Sequence, residues 1–269
     1  MSIKKVLSIA GSDPSGGAGV QADLKSFCAH KVYGMTAITA LTAQNTQGVQ
    51  GVFPVPAEFL FTQLKSVSDD ITIDAVKIGM LGGVDNIKTV INWLNAFGDA
   101  KPYVVLDPVM VATSGERLLD IEAEQTILDL VQLADLVTPN LPELAVLLNT
   151  TVAKTFVEMV EQAKTLASAR FVNVYAKGGH FEDSDAGNDA LVTTEGMVQK
   201  FEGEWIETKN THGTGCSLSS SIAAIYANTG DLVVTCSTAK SWLTSAIRSS
   251  DELQISKHST GHGPVNHFV

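Results

Sequence analysis

Cysteine is scarce in this chain of 269 residues, which has only Cys28, Cys216 and Cys236, far apart. Three scattered thiols make no disulfide framework, and with no export signal they lead us to expect a reducing cytoplasm. Charge is sparse as well, at 17% of residues, and cations are short: 18 Lys+Arg stand against 29 Asp+Glu, a net charge of −11. That balance excludes sequence-independent nucleic-acid binding, which rests on clustered Lys and Arg. No apolar run reaches the roughly 18 residues of a membrane span. The run Val6–Ala10 after Lys4-Lys5 is too short for a signal peptide and is ended by Ser12-Asp13-Pro14, so it reads as a first core strand. Linkers, internal repeats and low-complexity tracts are missing. What is present is a 45% hydrophobic composition and 22 glycines, enough for a well-buried core in a single domain over residues 1–269.

Short apolar runs alternate with helical patterns. Val6–Ala10, Thr36–Leu41, Ala75–Ile78, Tyr103–Leu106, Leu136–Val137 and Phe171–Tyr175 read as strands buried on both faces. Between them, Val20, Leu24, Phe27 and Cys28 recur at helical spacing, as do Ile87, Val90, Ile91 and Leu94, and Phe156, Val160, Ala163 and Ala167. This alternation predicts an α/β fold with a mainly parallel sheet and helices on both faces. Ala190–Thr193, Met197–Phe201 and Trp205–Glu207 read as a short antiparallel extension, followed by helices over Gly215–Asn228 and Leu232–Ser249.

The glycines collect at three places. Gly11-Ser12-Asp13-Pro14-Ser15-Gly16-Gly17-Ala18-Gly19 joins the first strand to the first helix. Gly17 to Ala22 fit G-x-G-x-x-A, but no Asp or Glu lies between Asp23 and Glu58 to hold a ribose, so a nicotinamide site is disfavoured. Lys177-Gly178-Gly179-His180 leaves a strand where a lysine can meet a phosphate, or where a chain simply exits. Asn210-Thr211-His212-Gly213-Thr214-Gly215-Cys216 opens a helix, and N–H groups at such an end, approachable because of the glycines, form an anion site. A P-loop is excluded, since the dipeptide Gly-Lys does not occur.

Two carboxylates stand out. Asp107 follows a strand and precedes Pro108, at the sheet edge where open α/β folds bind ligands. Glu143 in Asn140-Leu141-Pro142-Glu143 has the spacing of a capping box, and alternatively helps to hold a hydrated Mg²⁺. His258, His262 and His267 lie in a Gly-Pro loop without the Cys or paired acids of a zinc site.

Seven runs together resemble the hydroxymethylpyrimidine/phosphomethylpyrimidine kinases of thiamine biosynthesis, in the ribokinase-like superfamily. They are Ala10 to Lys25, Ile38 to Thr46, Lys77-Ile78-Gly79-Met80-Leu81, Leu106-Asp107-Pro108-Val109-Met110, Thr138 to Glu143, Lys177 to His180 and Asn210 to Cys216, in the expected order. The resemblance implies a ribokinase-like fold, a homodimer, and two ATP- and Mg²⁺-dependent phosphorylations. These convert 4-amino-5-hydroxymethyl-2-methylpyrimidine to its monophosphate and then to the diphosphate. It further implies that Gly213, Thr214, Gly215 and Cys216 form the catalytic anion hole, with Thr211 and Lys177 at the ATP phosphates. Asp107 and Glu143 would act through Mg²⁺ and its waters. Asp23 and Gln44 would hydrogen-bond the pyrimidine, in a pocket shaped by Gly11, Met80 and Val109. Cys216 stands where sugar kinases of the superfamily carry an aspartate. A thiol at a helix start can have a lowered pKa, so it can serve as a base or complete the anion hole. Cys28 and Cys236 read as packing residues of amphipathic helices.

Three rivals remain open at this stage. A pyridoxal kinase would use the same fold on another hydroxymethyl heterocycle. A catalytically silent vitamer-binding regulator would keep the site without turnover. A thiol hydrolase would pair Cys216 with His212. Candidate lids are the loop after Val109 and Glu182–Asn188.

Overall fold

The apolar runs become neighbouring strands of one sheet. A computed structural model of the chain describes residues 2–110, 121–179, 181 and 185–269. In chain order the elements are β1 (Lys5–Ser12), α1 (Gly19–Ala29), β2 (Tyr33–Asn45), β3 (Gly48–Pro54), α2 (Ala57–Ser68), β4 (Ala75–Ile78), α3 (Val84–Asn95), β5 (Tyr103–Leu106), α4 (Ile121–Val131) and β6 (Leu136–Val137). They continue with α5 (Leu141–Leu148), α6 (Phe156–Arg170), β7 (Asn173–Lys177), β8 (Asp189–Val192), β9 (Val198–Phe201), α7 (Thr214–Thr229) and α8 (Leu232–Arg248). The strand order is β3-β2-β1-β4-β5-β6-β7-β8-β9. In that order the strands from β2 to β7 run parallel, while β3 pairs antiparallel with β2, β8 with β7, and β9 with β8.

Each face of the sheet carries its own core. On one side Leu60, Leu64, Ile87, Val90, Leu144, Met159 and Ala163 pack helices α2, α3, α5 and α6 onto Ile9, Ile78, Leu106 and Val137. On the other, Phe27, Leu218, Ile222, Cys236 and Leu243 pack α1, α7 and α8 onto Val6, Ala75, Val105, Leu136 and Tyr175. Because the central strands are parallel, all their carboxyl ends meet one edge. Gly11, Gln44, Met80, Asp107 and Lys177 arrive there from five different strands.

Some expectations need correction. Trp205–Glu207 is not a strand, and Trp205 is largely exposed. The strand β3 was not foreseen, because its sequence Gly-Val-Gln-Gly-Val-Phe-Pro carries no alternating pattern and its residues are mostly exposed. The strand expected from Phe171 begins at Asn173 instead, since Phe171 is the left-handed cap of α6 with φ 55°. Cys236 is buried as expected, but Cys28 is exposed, so it is not a packing residue. The α1 face that turns inward carries Asp23 and Ser26 instead. His180, residues 111–120 of the loop after Val109, and residues 182–184 of the second candidate lid lie outside the described residues.

Candidate active site

Two helix starts converge at the sheet edge. Gly213 is the N-cap of helix α7; it lies in the left-handed region at φ 80° and gives the helix no side-chain cap. A Cβ there would overlap the Gly17 carbonyl oxygen, so only glycine lets the two loops touch. Thr214 closes the turn: its N–H and its hydroxyl both donate to Thr211 O, at 3.2 and 2.5 Å. By contrast, α5, α6 and α8 are capped by Asn140, Thr155 and Asp231. The uncapped start of α7 keeps its partial positive charge for a ligand. Helix α1 also lacks a side-chain cap.

Opposite the α7 start lies an ion cluster. Lys177 Nζ is 2.9 Å from Asp107 Oδ1 and 3.9 Å from Glu143 Oε2. Thr138 donates to Asp107 Oδ1 at 3.1 Å, and Ser219 of α7 to Oδ2 at 3.3 Å. A Cβ on Gly215 would sit 3.5 Å from both Asp107 Oδ2 and Lys177 Nζ. The backbone at Gly215, the lysine and the carboxylate therefore face one small space. Burial tends to raise the Asp107 carboxyl, but Lys177 and Lys77 outweigh it and hold it low. Lys177 is raised, its own burial being overcome by Asp107 and Glu143. Burial pushes Glu143 up to about 7, with Asp107 adding to the rise and Lys177 opposing it.

Glu143 fulfils the capping-box reading. Its backbone N–H donates to Asn140 Oδ1 at 2.9 Å, and the Asn140 N–H returns to Glu143 Oε2 at 2.8 Å. Being fixed by the cap also aims the carboxylate at Lys177, so the structural and functional readings are compatible.

Asp23 requires a correction. It was expected to meet the pyrimidine, yet it is fully buried and both its oxygens are taken. Lys77 binds Oδ1 at 2.9 Å and Oδ2 at 3.0 Å, Ser220 binds Oδ1 at 2.6 Å, and Ser8 binds Oδ2 at 2.5 Å. Lys77 was missed. Its signal was a lone charge in the otherwise apolar strand Ala75–Ile78, where an unpaired lysine could not be buried. Burial would lower the Lys77 ammonium, but Asp23 reverses the shift and raises it. This cation is close enough to Cys216 for the two to interact electrostatically.

The thiol reverses another expectation. Burial pushes Cys216 up, Asp23 and Asp107 push the same way, and the opposing Lys77 does not prevail. The helix start therefore does not make a thiolate here. His212 is not its partner either: His212 Nε2 lies 2.8 Å from Asp13 Oδ2, and this removes the support for a Cys–His hydrolase.

The remaining residues line the edge beside this cluster. Gly11 touches Met80, whose methyl group a Cβ at Gly11 would overlap. Val109 is half-buried, its N–H donating to Asp107 O at 2.8 Å. Half-buried Gln44 reaches His212 from β2. Of the three C-terminal histidines, His267 is turned inward to Ser217 of α7 at 2.8 Å. Among the described residues, no cluster of three or more metal-ligating side chains occurs, and no helix is long and apolar enough to cross a membrane.

Comparison with known proteins gives the family and the fold. The phosphomethylpyrimidine kinase family profile matches residues 13–266. The hydroxymethylpyrimidine/phosphomethylpyrimidine kinase of Escherichia coli is 46% identical over 97% of this chain and 96% of its own length. A thiamine biosynthesis multifunctional protein of Corynebacterium efficiens is 47% identical over 98% of this chain, which spans 35% of that longer relative. Among solved structures, an ADP complex of Bacillus subtilis pyridoxal kinase superposes with a TM-score of 0.87 at 35% identity, over 99% of this chain and 98% of that one.

Proposed function

The chain belongs to the hydroxymethylpyrimidine/phosphomethylpyrimidine kinase family of thiamine biosynthesis, and on that premise we propose how its own residues phosphorylate the pyrimidine. ATP is the donor and 4-amino-5-hydroxymethyl-2-methylpyrimidine the first acceptor. Its monophosphate then returns to the same site and becomes the diphosphate. The observation that carries this reading is the space shared by Gly215, Lys177 and Asp107, where a bound anion would meet a helix start and an ammonium together.

Phosphoryl transfer has a loose transition state, so positioning and charge neutralisation dominate. The N–H groups of Gly213, Thr214, Gly215 and Cys216 stabilise the charge on the transferred group. Lys177 and the turn at Thr211 hold the ATP phosphates. Beyond Lys177, the Gly178 N–H binds Asp189 at 2.9 Å, and Asp189 binds Lys240 at 2.6 Å. Lys240 lines a groove of about 480 Å³ with Phe201, Val233 and Ser237, which suits the nucleoside end of ATP. With its thiol protonated, Cys216 completes the anion hole rather than acting as base. Gln44 contacts the ring, Gly11, Met80 and Val109 enclose it, and the Asp23–Lys77 pair supports the floor.

Asp107 and Glu143 fit Mg²⁺. Both offer oxygen donors, and the raised Glu143 is a carboxyl whose charged form a cation would restore. Bound there with ATP, the cation would neutralise phosphate charge. We also assign a homodimer, through the exposed cross-strand pair Leu41 and Phe53, because exposed apolar side chains on one face of an edge hairpin fit a self-complementary interface.

Pyridoxal phosphorylation is the second reading, favoured by the fold likeness to the Bacillus subtilis enzyme. Incubation with Mg-ATP and each acceptor separates the two: diphosphate formation from the pyrimidine supports the first, and pyridoxal turnover at a comparable rate supports the second.

A further inference from the structure

The Gln44 amide is held between His212 and Thr42. In the structure, Gln44 Nε2 lies 3.3 Å from His212 Nε2, and Gln44 Oε1 lies 3.2 Å from Thr42 Oγ1. A half-turn of the amide exchanges the two atoms, and hydrogen bonding decides between the orientations.

Asp13 settles one end. Its carboxylate accepts from Ser15 N–H at 2.9 Å, Ser15 O–H at 2.7 Å, Gly17 N–H at 3.1 Å, Ala18 N–H at 2.9 Å and His212 Nε2 at 2.8 Å. Burial raises it, but these donors win and hold it at about 2. A carboxylate so surrounded accepts only, so His212 Nε2 carries a hydrogen. That one hydrogen is directed at Asp13, so His212 Nε2 has no lone pair for an amide N–H; the amide oxygen, which can share the hydrogen with Asp13, is the atom of Gln44 that fits there.

Thr42 settles the other end independently. Its hydroxyl has one hydrogen, and that hydrogen goes to the Ser12 carbonyl at 2.8 Å, an atom that can only accept. Toward Gln44, Thr42 then offers lone pairs, so the atom facing it must be the amide nitrogen. Both ends require the same half-turn.

We propose that Asp13, through His212, and Thr42 fix the polarity of the Gln44 amide, making His212 a specificity-determining positioning residue. The amide then shows the pocket one oxygen lone pair and one N–H in a set order. That edge matches a heterocycle with an amino group beside a bare ring nitrogen: the amino N–H donates to Oε1, and the ring nitrogen accepts from Nε2. It opposes the 4-oxo analogue, in which a carbonyl and a ring N–H reverse the pattern. The inference rests on Gln44 contacting the ring, as proposed above.

The test compares kcat/KM for 4-amino-5-hydroxymethyl-2-methylpyrimidine and its 4-oxo analogue, in the wild type, His212→Phe and His212→Gln. The expected wild-type preference for the amino compound is about 10²-fold or more, since a site built on hydrogen bonds rejects a mismatched pattern. His212→Phe keeps a ring but loses the N–H, and the preference should shrink at least about tenfold. His212→Gln supplies an N–H and should restore most of it. A wild type that takes both compounds equally overturns the inference whether or not any variant folds. So does a His212→Phe enzyme that loses activity on both substrates in equal proportion. If the wild type phosphorylates neither, the proposed activity itself has failed, and the inference falls with it.

Discussion

At the scale of single residues, the site is supported by a buried ion pair that touches no solvent. Lys77 and Asp23 are both fully buried. Removing one partner leaves the other charged and uncompensated, which typically costs about 3–5 kcal/mol. Lys77→Met should therefore lower stability by about that amount, read from the urea midpoint at constant slope. The double variant Lys77→Met/Asp23→Asn should recover much of the loss. Cys216 makes a second prediction. Cys216→Ala keeps the backbone N–H of the anion hole and removes only a weak thiol donor. The kcat should therefore fall by about tenfold at most, less than the cost of about 10²–10³-fold for a full donor. Loss of a general base would instead cost about 10²–10⁴-fold. Glu143 makes a third. Its carboxyl is raised from 4.5 to about 7, so the folded state holds that proton more tightly than the unfolded chain. The resulting stability is complete below 4.5 and disappears as pH rises through about 7. Glu143→Gln should flatten this slope in urea midpoints measured across the window.

At the scale of elements, the decisive feature is the start of α7. Two glycines there do different work. Gly213→Ala would collide with the Gly17 carbonyl and force a left-handed residue out of place, so it should reduce both stability and activity. Gly215→Ala would not collide, its Cβ lying 3.5 Å from Asp107 and Lys177. It fills the space proposed for the phosphoryl group instead. Its melting temperature should stay near that of the wild type while kcat falls about 10²-fold or more. Equal losses of stability and activity in both variants would contradict this division of roles.

The same elements show how far the sequence could be read. β4 and β5 match their apolar runs because strands covered on both faces have little freedom of composition. The uncapped helix start was legible because Gly-Thr-Gly exceeds what an ordinary cap requires. β3 was not legible, since an exposed edge strand needs no apolar pattern. The Asp23–Lys77 pair joins residues 54 positions apart, and no local spacing reveals such a partner. His212 looked like a neighbour of Cys216, yet the loop turns it toward Asp13, 199 positions away.

At the scale of the whole molecule, one continuous sheet with a core on each face should unfold as a unit. Calorimetric and van't Hoff enthalpies should agree for the purified protein, and two separated transitions would contradict a single domain. The net charge of −11 does not oppose anion chemistry. The proposed site uses backbone N–H groups, Lys177 and a bound cation, none of which needs a basic surface. If Leu41 and Phe53 form the dimer face, Phe53→Asp should shift sedimentation toward the monomer.

All three scales meet in one reaction. The most direct test is to incubate the pure protein with Mg-ATP and 4-amino-5-hydroxymethyl-2-methylpyrimidine and to follow the products over time. The account predicts that the monophosphate appears first and is then converted to the diphosphate, with one ADP released at each step. Absence of both phosphorylated products would contradict it.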